Sequence, residues 1–120
     1  MLTISAEQID SLGVGQRERF LRALAARLRQ DFPKQTAPLS EPALDELIET
    51  GITNARVYGL VTEGQVRFYC GMMLRHGRDF DADPALPWAG DILEDDRLAP
   101  AEKLARLDEV QLFLDRSPAR

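Results

Sequence analysis

The stretch that decides the fold is residues 62–77, which reads TEGQVRFYCGMMLRHG. It opens with a capping box, in which Thr62 accepts from the first turn of a helix and Gln65 reaches back. Gly77 is suited to end the same helix. Apolar side chains occur on most sides of the residues between, which is typical of a helix surrounded by others. The stretch therefore predicts a central helix over residues 63–76.

An earlier helix is predicted from Gln16 to the residues before Pro33, because apolar side chains recur there at helical spacing and the residue before proline avoids the α region. Ahead of Gln16 the pattern is weaker. Residues 5–8, SAEQ, read as a capping box, but Gly13 and Gly15 each cost about 1 kcal/mol relative to alanine inside a helix. Either a short helix ends at these glycines, or one longer helix tolerates them.

The segment before the central helix also reads as helical, after a connector over residues 34–39. Ser40 is a typical N-cap, and Gly59 with Leu60 fits a Schellman motif at the other end. Gly51 lies beside the apolar stripe of this helix. The simplest reason for a glycine there is the close approach of another helix.

Two more helices are predicted after residue 77. An acidic loop with prolines, residues 78–87, leads into a short helix that pairs Trp88 with Ile92. Pro100 is well placed as the first residue of the last helix. The apolar stripe of the last helix is predicted to comprise Leu104, Leu107, Val110 and Leu114.

These patterns predict an all-α protein, a bundle of about five helices. The length of 120 residues is typical of one domain, which we take as residues 1–120, with 1–116 ordered and 117–120 a frayed tail. The lone Cys70 forms no internal disulfide, which favours a reducing compartment and the cytoplasm. No apolar run resembles a signal peptide or approaches the roughly 18 residues of a membrane span, so we expect no membrane association.

Charge is unevenly distributed along the chain, whose formal net charge is −5. Residues 79–120 carry eleven acidic and five basic side chains, whereas residues 1–39 carry four acidic and six basic ones. The acidic C-terminal third argues against nucleic acid as the main partner. The basic N-terminal region remains a separate candidate contact surface.

Residues suited to catalysis or cofactor binding are scarce. Cys70 lies on the apolar stripe of the central helix and is interpreted as a core residue. His76, the only histidine, lies at the C-terminal end of that helix, where a cation is favoured, and is interpreted as a cap. The glycines of residues 13–15 begin like a dinucleotide fingerprint, but Glu18 replaces the third glycine and no strand precedes them. We therefore expect a non-enzymatic protein without a cofactor.

Three aspartates, Asp79, Asp81 and Asp83, have the spacing that opens a calcium loop. The sixth position would be Pro84 rather than glycine, and the twelfth would be Gly90 rather than glutamate. We therefore expect no metal site, and interpret Asp83 as a cap for the residues after Pro84.

Two surfaces are candidates for binding a protein partner. In the acidic loop, Phe80 and Trp88 either fill the core or act as exposed aromatic anchors flanked by Asp81 and Asp83. On the first helix, three arginines lie opposite the apolar stripe and form either a solvated face or a contact for an acidic partner. These arginines are Arg19, Arg22 and Arg29.

A family resemblance covers most of the chain, about residues 1–107. It is carried by residues 28–33 (LRQDFP), 51–60 (GITNARVYGL) and, most specifically, 77–89 (GRDFDADPALPWA). The chain resembles small helical proteins encoded among bacterial type VI secretion effector genes, near VgrG spikes and effector adaptors. Gly13 and Gly15 depart from that pattern.

The resemblance implies a cytoplasmic accessory protein or co-chaperone that binds a secretion effector or its adaptor. The alternative is an immunity protein that blocks a toxin through the acidic region of residues 79–96. The sequence does not specify the oligomeric state.

Overall fold

The computed structural model describes residues 13–116, apart from the side chain of Val14. Every helix or strand element in this range is helical, which confirms the all-α prediction. Contacts between Cα atoms divide the chain into two compact units, Met1–Asp79 and Phe80–Arg120. The assignment of one domain stays a prediction, and the predicted capping box at residues 5–8 and frayed tail at 117–120 lie outside the described residues.

The first unit contains four described helices: α1 (Val14–Asp31), α2 (Pro33–Thr36), α3 (Glu41–Val57) and α4 (Glu63–His76). The predicted bounds of α4 are confirmed. Helix α4 contacts each of the other three, so it is the central helix of this unit, as predicted. Its fully buried side chains include Val66, Tyr69 and Cys70.

Side-chain caps explain where α3 and α4 begin. Ser40 Oγ accepts from the N–H of Ala43 at 3.2 Å. Thr62 Oγ1 accepts from the N–H of Gln65 at 3.2 Å, and Gln65 Oε1 accepts from the N–H of Thr62 at 3.1 Å. Each bond satisfies a backbone donor that the helix itself leaves unpaired, and both predicted N-termini are confirmed.

Helix α3 ends in the predicted Schellman motif. The N–H of Leu60 donates to the carbonyl oxygen of Ala55, and the N–H of Gly59 donates to that of Arg56, both at 3.0 Å. Gly59 has a φ of 81°, a conformation that glycine adopts without steric cost. Leu60 is fully buried beyond the turn.

Two glycines allow close packing on α4. A Cβ added at Gly51 of α3 would lie 2.5 Å from Cys70 Sγ, which confirms the predicted close approach. A Cβ added at Gly71 of α4 would lie 2.8 Å from Cζ of Phe32. The second contact was not predicted, because nothing in the sequence near Gly71 shows that Phe32 packs on it.

Helix α1 begins at Val14, and Gly13 occupies its N-cap position with an N–H that donates to Gln16 Oε1 at 3.4 Å. Gly15 therefore lies inside the helix. Pro33 ends α1 as predicted, but it also begins the four-residue helix α2, which extends into the predicted connector at residues 34–39. Proline suits this first position because its missing N–H would be unpaired there.

The second unit contains a 3-10 helix (Phe80–Ala82), α5 (Pro87–Leu93) and α6 (Pro100–Arg116). The two predicted helices are confirmed, whereas the loop prediction missed the 3-10 helix. A Cβ added at Gly90 would lie 2.8 Å from the backbone oxygen of Asp81, so Gly90 allows α5 to approach that segment.

The predicted stripe of α6 is wrong at Leu114, which is 44% exposed. The buried positions of the helix advance by four residues, Lys103, Leu107 and Gln111, and this row does not include Leu114. Apolar periodicity missed the row because Lys103 and Gln111 are polar.

Candidate functional site

A cleft of about 500 Å³ lies between α1 and the N-terminal half of α3, within the first unit. Its volume is within the range of small-ligand pockets, about 300–1,000 Å³. We call it the α1–α3 cleft. Its lining residues are Glu18, Leu21, Arg22, Ala25, Ala26, Arg29, Glu41, Leu44 and Asp45.

The two helices that form the cleft run in opposite directions. Arg17, near the start of α1, forms an ion pair with Glu49 of α3. Arg29, near the end of α1, bonds to the connector that precedes α3. Because the cleft residues of α1 fall at intervals of three and four, they form one continuous row along the helix.

Small apolar side chains occupy the middle of this row. Ala25 and Ala26 lie one turn after Leu21, and Leu44 faces the cleft from α3. Leu44 itself is fully buried, so its side chain belongs to the floor of the cleft. A floor of alanine and leucine favours a ligand with an apolar surface. Because the alanine side chains are small, the backbone of that ligand can approach α1 closely.

Arg29 maintains the shape of the cleft. Its Nη1 donates to the carbonyl oxygen of Thr36 and its Nη2 to that of Leu39, each at 2.9 Å. The planar guanidinium thus bridges α2 and the residue before the N-cap of α3. Arg29 is half-buried, and its bonds identify a structural role that sequence periodicity did not predict.

Unlike Arg29, the other charged side chains that line the cleft form no hydrogen bonds within the described chain that fix their positions. Glu18 and Arg22 belong to α1, and Glu41 and Asp45 belong to α3. Within residues 13–116, none of these four side chains forms an ion pair or a side-chain hydrogen bond. The charged groups on the α3 side of the cleft are therefore both carboxylates, and Glu41 lies in the first turn, where the helix dipole stabilises negative charge.

The three predicted arginines thus have separate positions. Arg22 and Arg29 line the cleft, whereas Arg19 is exposed on α1 outside it. They do not form one equivalent basic face. A sequence signal for the cleft existed in the pair Ala25 and Ala26, but small residues on a helix are too common to identify a site.

The predicted contact residues of the acidic loop lie in the second unit. Phe80 is fully buried, so of the two predicted alternatives it fills the core and is not an exposed anchor. Asp83 Oδ1 accepts from the N–H of Ala85 at 2.9 Å, so it stabilises a turn after Pro84, whereas the helix that follows begins at Pro87 with Leu86 as its N-cap. Asp81 and Trp88 are half-buried, and their role in binding stays a prediction.

Burial or hydrogen bonding shifts the pKa of some groups elsewhere in the described chain. Burial raises the pKa of the Cys70 thiol to about 12, which keeps it protonated and a poor nucleophile at neutral pH. Cys70 is fully buried, which confirms its interpretation as a core residue. The side-chain hydrogen bond from Arg97 lowers the pKa of Asp95 to about 2, and both groups lie in the turn before α6.

The end of α6 carries a second apolar surface. Leu112, Phe113 and Leu114 are 46%, 60% and 44% exposed. These three exposed apolar side chains are consecutive and therefore point in directions about 100° apart around the helix.

No group of three or more histidine, cysteine or acidic side chains in residues 13–116 is arranged to hold a metal ion. Over the same range, no helix combines the length and apolar character needed to span a membrane.

Comparison with protein-family models, curated proteins and solved structures gives no match. The resemblance to proteins of type VI secretion gene clusters therefore stays a prediction.

Proposed function

We propose that this chain is a non-enzymatic binding protein that holds a segment of a protein partner in the α1–α3 cleft. The supporting observation is the composition of the cleft, an apolar floor bordered by charged groups, all of which except Arg29 lack a side-chain partner in the described chain. Protein interfaces have this organisation, with an apolar centre and a polar rim that gains partners on binding.

The cellular setting follows from the family resemblance. We propose a cytoplasmic accessory protein or co-chaperone that holds a type VI secretion effector or its adaptor. A protein that binds an unfolded or flexible partner segment keeps it from other contacts until delivery, which is the physical task of such a chaperone.

Co-purification from the native host tests this proposal. The experiment compares the tagged protein with Ala26→Trp, which fills the cleft, and with Ala23→Trp, its matched control. Both alanines are exposed on α1, but only Ala26 lines the cleft. We expect the partner to remain with the wild type and Ala23→Trp and to be lost from Ala26→Trp, while circular dichroism shows that all three are folded.

The identity of the partner decides the setting. Recovery of an effector or adaptor encoded among secretion genes supports the accessory role. Recovery of a toxin domain alone, with rescue of cells that express that toxin, would instead support the immunity alternative. Equal recovery of the partner by both tryptophan variants would contradict binding in the cleft.

A further inference from the structure

We infer that the occupant of the α1–α3 cleft is an amphipathic helix of the partner, with basic side chains along the edge that faces α3. This inference rests on the proposed function and specifies its ligand. It follows from the length of the cleft, from the backbone chemistry of its walls and from the distribution of charge between them.

The cleft has the length of a short helix. Its α1 row runs from Glu18 to Arg29, which is about three turns or roughly 16 Å at 1.5 Å per residue. Ala25 and Ala26 occupy the middle of that row, where a packed helix comes closest. Side chains spaced at three and four residues on the occupant would meet the apolar floor along this distance.

Backbone chemistry favours a helix over an extended peptide. The walls of the cleft are helices, whose backbone groups are paired internally and offer no edge for strand addition. An extended segment would bring unpaired N–H and C=O groups against Leu21, Ala25 and Leu44, and burying such groups is costly. A helix pairs these groups within itself.

Charge sets the composition of the occupant's edges. Glu41 and Asp45 are one turn apart on α3, and neither has a partner in the described chain. Their carboxylates attract lysine or arginine on the facing edge. On the opposite wall Glu18 precedes Arg22 by one turn and offsets part of its charge, while the donors Nη1 and Nη2 of Arg29 are already bonded.

The cleft therefore favours a basic partner segment, although the arginines of α1 taken alone suggest an acidic one. The lining residues include three carboxylates and two guanidinium groups. Among the described residues, no basic residue lines the cleft on the α3 side. We therefore expect the basic side chains of the occupant to lie along the edge that faces α3.

Two synthetic peptides test the inference on the full chain without the natural partner. Both have leucines at helical spacing for the floor and alanines elsewhere. One carries lysines along one edge, and the other carries glutamates at the same positions. Amide chemical shifts of the protein, recorded during titration, report both the affinity and the place of binding.

We expect the lysine peptide to bind at least about tenfold more tightly and to shift the amides of Ala25, Ala26, Glu41 and Asp45. The double variant Glu41→Gln/Asp45→Asn should weaken it by roughly fivefold, which corresponds to two partly exposed ion pairs. Asp108→Asn/Glu109→Gln, on exposed positions of α6, changes the net charge equally and should leave the affinity unchanged.

Equal affinity for the two peptides, shifts confined to other surfaces, or equal effects of the two double variants would overturn the inference. Concentration-dependent shifts of the same amides without peptide would place a second copy of the chain in the cleft and overturn it as well. Loss of partner binding in Ala26→Trp alongside any of these results would leave the proposed function standing.

Discussion

At the scale of single residues, packing on α4 depends on glycines, whose lack of a Cβ atom leaves room for a neighbouring side chain. Gly71 accommodates the ring of Phe32, and the guanidinium of Arg75 lies 5.4 Å from the centre of that ring. Arg75 is one turn after Gly71, so the ring is held between the helix surface and a cation. The contact joins the end of α1 to the centre of the unit.

Gly71→Ala should destabilise the protein, by about 1–2 kcal/mol, because the cost of overpacking exceeds the gain of about 1 kcal/mol in helix propensity. Gly64→Ala is the matched control in the same helix, since a Cβ there meets nothing within 4 Å. It should be neutral or stabilising. Urea unfolding of both variants measures the difference, and a Gly71→Ala protein as stable as Gly64→Ala would show that Phe32 does not constrain α4.

Cys70 should make stability fall at high pH. Its folded pKa is about 12, against an ordinary value of 9.0, so between these values only the unfolded chain loses the thiol proton. Unfolding is therefore favoured as pH rises above 9. From pH 8 to pH 10, the wild type should lose about 1 kcal/mol more unfolding free energy than Cys70→Ala, in which this ionisation is removed. Parallel losses in the two proteins would mean that the thiol is accessible to water.

At the scale of elements, what could be predicted was what is encoded locally. Thr62 and Gln65 lie within four residues of each other, so the start of α4 was readable, and the same holds for Ser40 and for the turn at Gly59. Helix α2 was missed because its last carbonyl is held by Arg29, seven residues away in sequence. A cap supplied from another helix leaves no local pattern.

Arg29→Ala should therefore cost about 1–3 kcal/mol of stability, since the carbonyl groups of Thr36 and Leu39 each lose a charge-assisted hydrogen bond. Arg22→Ala, on the same helix and in the same cleft, should change stability by less than about 0.5 kcal/mol, because its side chain has no bond to lose. Thermal denaturation of both variants tests this division of roles. Equal melting temperatures would show that Arg29 does not hold the connector.

At the scale of the whole molecule, the all-α architecture followed from the sequence, whereas the candidate site did not. Helical periodicity and caps recur along the whole chain. A single wrong prediction, such as the burial of Leu114, therefore did not change the predicted fold class. The cleft needs Ala25 of α1 and Asp45 of α3 to lie near each other, and no local pattern specifies which helices are neighbours. The sequence therefore predicted one group of three arginines on a face of α1. It did not predict that Arg22 and Arg29 share a cleft with the carboxylates of α3.

The central claim is that a partner segment lies in the α1–α3 cleft, and site-specific photo-crosslinking tests it most directly. A photoreactive phenylalanine derivative is placed at Ala26, which lines the cleft, or at Ala23, which is exposed on the same helix outside it. Irradiation in the native host should attach one protein at position 26 and far less of it at position 23, and the attached peptide should contain a basic amphipathic segment. Equal attachment at both positions, or none at position 26 while the partner still co-purifies, would contradict the claim.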